Sequence, residues 1–323
     1  MKQKVFRVLL LTALILCGIT NSAFAGSEDY GNLERYVQWD DLEEVQSALK
    51  KNPKVINDNN GEILRMAVGL LRKPEIIKLL LDAGANPNLK QVNTDNNALH
   101  IVLEECKDGN QDHILAIVKM LTAKGADVNH KRAGDGYTPI HMAARNENVT
   151  KEIMSALLSA KNLNVNIKCN PINEFEDGAW TPLFFAVTRP NDFTGDNYAI
   201  VKMLIDKNAD IKAVTSDKDP VIKQNWTALH LVADAKEDRS DIAKLLVEAG
   251  IPVDSVCKTK NMTPLHLALM SNKPEICKYL LSKGADIHSA NSDGVTVLEH
   301  AKGWASNHHF ESAKVIIEWA EKN

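Results

Sequence analysis

Four histidines recur at one point of a phrase that the chain repeats: His100, His141, His230 and His266. An imidazole can carry a proton or ligate a metal. Either task needs further groups converging on it, and these four stand in separate copies of the phrase, so a structural role is the expectation. His308-His309 is the better metal candidate by type, yet no Cys or carboxylate stands at ligand spacing beside it. The carboxylate pairs Asp40-Asp41 and Glu104-Glu105 lie in polar runs and read as solvated faces. Cys106, Cys169, Cys257 and Cys277 form neither a CxxC nor a disulfide framework; an oxidising route permits bridges, and buried unpaired thiols are the plainer reading. Asn148, Asn225 and Asn261 head N-x-T triplets, two of which overlap a Thr needed elsewhere. No G-x-S-x-G, H-E-x-x-H or P-loop occurs. The expectation is a chain with no catalytic residues, no metal, no cofactor and no small-molecule substrate.

The aromatic residues make a sharper pattern. Tyr137, Trp180 and Trp226 each directly precede a Thr that opens a copy of the phrase, in three successive copies. Equivalent positions of stacked units line up in space, and Trp and Tyr bury large area at small entropic cost. These three are the candidate partner-binding residues. Packing against neighbouring loops is the competing reading.

The elements that hold them come from the phrase itself. It reads Thr138-Pro139-Ile140-His141-Met142-Ala143, Thr181-Pro182-Leu183-Phe184-Phe185-Ala186, Thr227-Ala228-Leu229-His230-Leu231-Val232 and Thr263-Pro264-Leu265-His266-Leu267-Ala268. Weaker copies sit at Asn97-Ala98-Leu99-His100, Thr296-Val297-Leu298-Glu299 and Glu62-Ile63-Leu64-Arg65-Met66-Ala67. Thr offers an N-cap oxygen, Pro fits the first helical position, and the apolar residues follow helical spacing. A second, Leu-rich phrase follows each copy and ends at Gly84, Gly125, Gly250 or Gly284, the residue type expected just past a helix. Turn-rich residues then lead to the next copy.

The two linked phrases resemble the ankyrin repeat, whose period is about 33 residues and whose mark is T-P-L-H-x-A. The resemblance covers nearly the whole chain beyond residue 25. It implies an all-α solenoid of stacked helix–turn–helix units joined by β-turn fingers, with structural histidines and a concave strip as the usual docking surface.

Steps between copies are 35, 41, 43, 46, 36 and 33 residues, counted from Leu64 to Leu298. The longer steps come from extra residues near Lys107–Asp112 and Arg189–Asp196, and in two fingers, Asn162–Ala179 and Ala213–Asn225. Insertions in a solenoid map to loops, often on the binding side. Terminal units should be atypical, since they cap the stack. The expected organisation is a signal peptide at 1–25, a linker and capping helix pair at 26–57, and about seven repeats over 58–323.

The first 25 residues have a basic start (Lys2, Lys4, Arg7), an apolar run from Val8 to Ile19, and Ala23-Phe24-Ala25 before Gly26. That is the layout of a secretory signal peptide, and the run is short for a membrane span. A lipoprotein reading of Cys17-Gly18 lacks the small residue it wants, because Leu16 precedes the Cys. The chain has 38 Lys and Arg against 42 Asp and Glu; three basic residues leave with the leader, so the remainder carries −7. That balance argues against nucleic acid and against an anionic membrane surface. No later segment is long enough to span a bilayer. The expectation is a non-catalytic scaffold resembling bacterial exported ankyrin-repeat proteins, which binds a protein partner in the bacterial periplasm or outside the cell. The alternatives are a self-associating envelope protein, or an enzyme or toxin hidden in the inserted loops.

Overall fold

A computed structural model describes residues 28–170, 180–189, 194–216, 224–258, 260–305 and 310–323. The leader at 1–25, His308-His309, and parts of three inserted stretches (171–179, 190–193 and 217–223) lie outside the described residues.

Helices come in pairs. The first pair is α1 (Glu28–Gln38) with α2 (Leu42–Lys51), followed by a short 3-10 turn at Pro53–Asn57. Seven pairs follow: α3 (Asp58–Gly69) with α4 (Pro74–Asp82), α5 (Ala98–Glu104) with α6 (Gln111–Ala123), α7 (Pro139–Arg145) with α8 (Lys151–Leu158), α9 (Pro182–Thr188) with α10 (Asn197–Asp206), α11 (Ala228–Ala233) with α12 (Ser240–Glu248), α13 (Pro264–Met270) with α14 (Pro274–Ser282), and α15 (Val297–Trp304) with α16 (Glu311–Lys322). Each first helix packs on the first helices of its neighbours, and each second helix on the second helices, which makes two layers. No pair has a second face of its own to bury, so the core is one continuous seam between units. Leu99, Leu183, Leu229 and Leu265 fill it from the first layer; Ile77, Val118, Leu157, Leu204, Leu246 and Leu280 fill it from the second.

Six fingers connect successive pairs. None contains a strand among the described residues; one isolated bridge joins Ala290 to Thr296. Each finger closes by one backbone bond at an equivalent position, such as Arg132 N to Tyr137 O at 3.0 Å and Thr215 N to Trp226 O at 2.9 Å. Neighbouring fingers are tied by single bonds, for example Ala133 N to Thr94 O at 2.8 Å and Asn170 N to Asp135 O at 2.7 Å. The second of these sets a steric limit. Gly136 has φ 63°, and a Cβ there would lie 2.4 Å from the Asn170 side chain.

Two side-chain ladders cross from unit to unit. In the first, the helix-opening Thr and the His three residues later form a capping box: Thr263 Oγ1 lies 2.9 Å from His266 Nδ1, and Thr227 Oγ1 2.8 Å from His230 Nδ1. The ring's other nitrogen reaches the next finger. His100 Nε2 meets Tyr137 O at 3.0 Å, His141 Nε2 meets Trp180 O at 3.2 Å, and His230 Nε2 meets Met262 O at 3.2 Å. In the second ladder an Asn after the second helix of each of the first four pairs bridges to the next unit's turn. Asn57 Nδ2 donates to Gly84 O and its Oδ1 accepts from Asn86 N; Asn88, Asn129 and Asn166 repeat both bonds one, two and three units on. Asp254, a carboxylate, keeps only the accepting half, from Asp286 N at 3.1 Å.

Both ladders break at the same junction, between the α9–α10 pair and the α11–α12 pair. Phe184 stands where the repeats on either side have His141 and His230, and Lys212 stands where the preceding repeats have Asn88, Asn129 and Asn166. The residue that would donate its N–H to that rung is Pro252, which has none. Buried Arg239 bonds this junction instead, donating from Nη1 to Val187 O at 3.0 Å and from Nη2 to Arg189 O.

The break leaves a mark on Thr181. Its Oγ1 is buried without a hydrogen-bond partner, because Phe184 offers no ring nitrogen. Replacing Thr227 or Thr263 by Val removes a working cap and is expected to cost about 1–2 kcal/mol. The same change at Thr181 deletes a hydroxyl that bonds nothing, so it is expected to be neutral or slightly stabilising. Urea midpoints of the three variants check this; an equal loss at all three positions would refute the assigned roles.

Candidate functional site

The register directly before the helix-opening Thr holds Tyr137, Trp180 and Trp226, and the structure treats them differently. Trp226 is 1% exposed. Its indole lies 6.0 Å from the His230 ring, and its backbone is held on both sides by Thr215, whose N–H donates to its carbonyl and whose Oγ1 accepts from its N–H at 2.9 Å. Such burial leaves Trp226 no surface to offer a partner in this conformation; its packing is within the stack. Tyr137 is 8% exposed, and Trp180 is partly open.

Tyr137 and Trp180 are brought together by Phe185, from α9. The Phe185 ring lies 5.2 Å from Tyr137 in an edge arrangement and 5.1 Å from Trp180; Trp180 also meets Phe184 at 6.0 Å. Aromatic pairs of this kind add about 0.5–1.5 kcal/mol beyond their buried area. Two guanidinium groups sit over Tyr137, Arg132 at 5.4 Å and Arg145 at 5.9 Å from the ring centre. Arg132 is also held by carboxylates, with Nη2 2.6 Å from Asp135 and Nη1 2.5 Å from Glu104. Burial pushes the Asp135 carboxyl up; the hydrogen bonds from Arg132 and from Tyr137 N–H more than reverse that, and its pKa falls below the ordinary value. Arg145, exposed at the end of α7, has no carboxylate within ion-pair distance among the described residues.

The patch offers planar apolar area with a carboxylate-held cation, Arg132, and an exposed one, Arg145, beside it. That suits recognition of a side chain or a backbone, and it supplies no nucleophile or base. The four histidines of the repeated phrase are fully buried and held by burial at about 4; each Nδ1 meets its own helix-opening residue, and the Nε2 atoms of His100, His141 and His230 reach the next finger. Cys106, Cys169, Cys257 and Cys277 are buried, and burial pushes Cys106 and Cys169 up to about 11 and Cys277 to about 12. No group of three metal-ligating side chains occurs among the described residues, nor does a helix long and apolar enough to cross a membrane. An open cleft of about 1210 Å³ between α6 and α8, lined in part by Lys119, Lys151, Glu152, Ser155 and Met203, includes none of the aromatic register.

Phe185, Arg132 and Arg145 are not visible as site residues in the sequence. Phe185 was in plain sight inside the repeated phrase, where the other copies have Met142, Leu231 and Leu267; the swap to an aromatic ring was the available signal.

Residues 109–215, 214–291 and 254–323 match the family model for ankyrin repeats. The chain is 31% identical over 260 residues to transient receptor potential cation channel subfamily A member 1 of Homo sapiens, which covers 72% of this chain and 22% of that protein. It is 26% identical over 236 residues to ankyrin repeat and KH domain-containing protein mask-1 of Caenorhabditis elegans, covering 69% of this chain and 8% of that one. It therefore spans less than a quarter of the length of either. The human ASB11 ankyrin repeat domain superposes with a TM-score of 0.56 at 21% identity, over 79% of this chain and 96% of the domain, which is a likeness of fold.

Proposed function

Because the chain belongs to the ankyrin-repeat family, we propose that it is a non-catalytic scaffold that binds a protein partner on the face formed by its fingers and first helices, centred on the third and fourth repeats. The observation that carries this is the partly open Trp180 packed on Phe185, which in turn packs on Tyr137, with exposed Arg145 over the Tyr137 ring. Trp, Tyr and Arg are the residues that dominate interface hot spots, most of all when grouped over a packed base. A rigid stack presents such a group without reordering, which keeps the entropic cost of binding low.

The basic start, apolar run and Ala23-Phe24-Ala25 end of residues 1–25 support reading them as a secretory leader, and with it binding outside the cytoplasm, in a periplasm or the extracellular space. Sequencing the N-terminus of exported protein tests that part: Gly26 is the expected first residue, and a full-length chain in the cytosol would count against it.

Binding is tested by capture from the native compartment with Trp180→Ala and Arg145→Ala. Both variants are expected to keep the wild-type circular dichroism and to lose the captured partner, each weakening it by about tenfold or more. Retention of the whole set of partners by both would overturn the reading.

A further inference from the structure

The exposed row along the fingers changes character partway along the stack. The closing bonds of the six fingers fix the register: Gln91, Arg132, Cys169, Thr215, Cys257 and Asn291 donate their N–H groups across the finger. The residue before each is Lys90, Lys131, Lys168, Val214, Val256 and Ala290. Side chains alternate in extended backbone, so when one residue turns inward its predecessor turns outward. All six are exposed. Val214 and Val256 keep 37% and 57% of their surface.

None of Lys90, Lys131 or Lys168 has a carboxylate within ion-pair distance among the described residues; Lys131 Nζ reaches only Asn170 Oδ1, at 3.4 Å. Adjacent fingers are bonded directly, the first to the second and the second to the third, so the three ammonium groups belong to one rigid row. On a chain of net charge −4 this row is a local attraction rather than the field of the whole molecule. It runs beside the aromatic patch, since Lys131 and Lys168 each precede the residue bonded to Tyr137 or Trp180.

We infer that the finger row receives an extended segment of the protein partner, acidic where it crosses the first three fingers and apolar where it crosses the fourth and fifth. This rests on the proposed protein-binding role of the same face. Units that stack roughly 10 Å apart put about 40 Å between the first and fifth fingers. An extended chain covers that with about 12 residues at ~3.3 Å each. Fixed charges at one end and valines at the other set the direction in which the segment lies, and like charges exclude a basic one.

The test uses the whole protein and labelled peptides of about 14 residues, acidic in one half and Val/Leu-rich in the other, made in both orders. Comparison probes are a lysine-for-acid version, a single-stranded oligonucleotide, and vesicles containing phosphatidylglycerol. One order of the acidic peptide is expected to bind. Lys131→Glu with Lys168→Glu should weaken it at least about tenfold, as should raising salt from about 50 to about 300 mM. Val214→Asp with Val256→Asp should weaken it too, and Lys202→Glu, on α10, should leave it unchanged. Failure of both acidic orders to bind, indifference to the lysine reversals, or tighter binding of the oligonucleotide or the vesicles would overturn the inference. If the native partner is lost with Trp180→Ala but kept with the lysine reversals, the docking face stands and the acidic segment does not.

Discussion

Between pH 6.5 and pH 4 the fold is expected to lose stability steeply, because four imidazoles must stay neutral inside it. His100, His141, His230 and His266 are held by burial at about 4, against 6.5 for an exposed imidazole. His130 and His300 stand close to the first and last of these, ring centres 5.7 and 6.2 Å away, and oppose protonation further. Across this window the unfolded chain binds more protons than the folded one, so acid favours unfolding. The contribution is complete above pH 6.5 and disappears as the pH falls towards 4. At pH 5 each histidine accounts for about 2 kcal/mol, and the four for about 8 kcal/mol, within the ~5–15 kcal/mol that holds a typical domain together. Urea midpoints at pH 7, 6 and 5 should fall accordingly, with a slope near 1.4 kcal/mol per pH unit for each histidine. His141→Phe copies what Phe184 already does one unit on, and should remove one proton from that slope. Asp82, drawn down to about 2 by Lys124 and Lys78, releases its share only below pH 4, outside this window. A midpoint unchanged from pH 7 to pH 5 would refute the account.

Trp226→Ala is expected to cost about 3–5 kcal/mol, the largest loss from any single aromatic truncation in the register. The indole fills the junction where both ladders are broken, so its loss leaves a cavity that the absent His and Asn rungs cannot bridge. Neighbour coupling is what joins units of a solenoid. Unfolding of this variant should therefore separate into two steps, repeats one to four apart from repeats five to seven. Trp180→Ala, one unit earlier and partly open, should cost about 1 kcal/mol or less and keep a single transition. Thermal and urea unfolding followed by far-ultraviolet circular dichroism give both numbers. A Trp226→Ala loss as small as that of Trp180→Ala would show that the buried indole contributes little to the junction.

How much was legible in the sequence follows from the range of each interaction. Helix pairs were legible because their signals are local: Thr at the cap, Pro at the first position, Gly just past the end. Gly84, Gly125, Gly250 and Gly284 take φ between 77° and 99° there, which a side chain would strain. A structural role for the histidines was legible because repetition alone scatters them over separate units. Their partners were not, since each acceptor carbonyl lies 32 to 39 residues away on the next finger. The Asn ladder escaped notice for the same reason. Asn after a helix looks like a turn residue, and only stacking reveals that its amide spans to the next unit.

The aromatic register shows where the division falls. By itself the sequence determined that Tyr137, Trp180 and Trp226 occupy one position in three successive repeats, because register depends only on counting from the helix start. Tertiary structure decided what each position is: Trp226 sealed at a junction, Tyr137 wedged under two arginines, Trp180 partly in solvent. Burial is a property of the space between repeats, and that space is shaped by residues a full unit away: Phe184 and Phe185 on one first helix, His230 on the next.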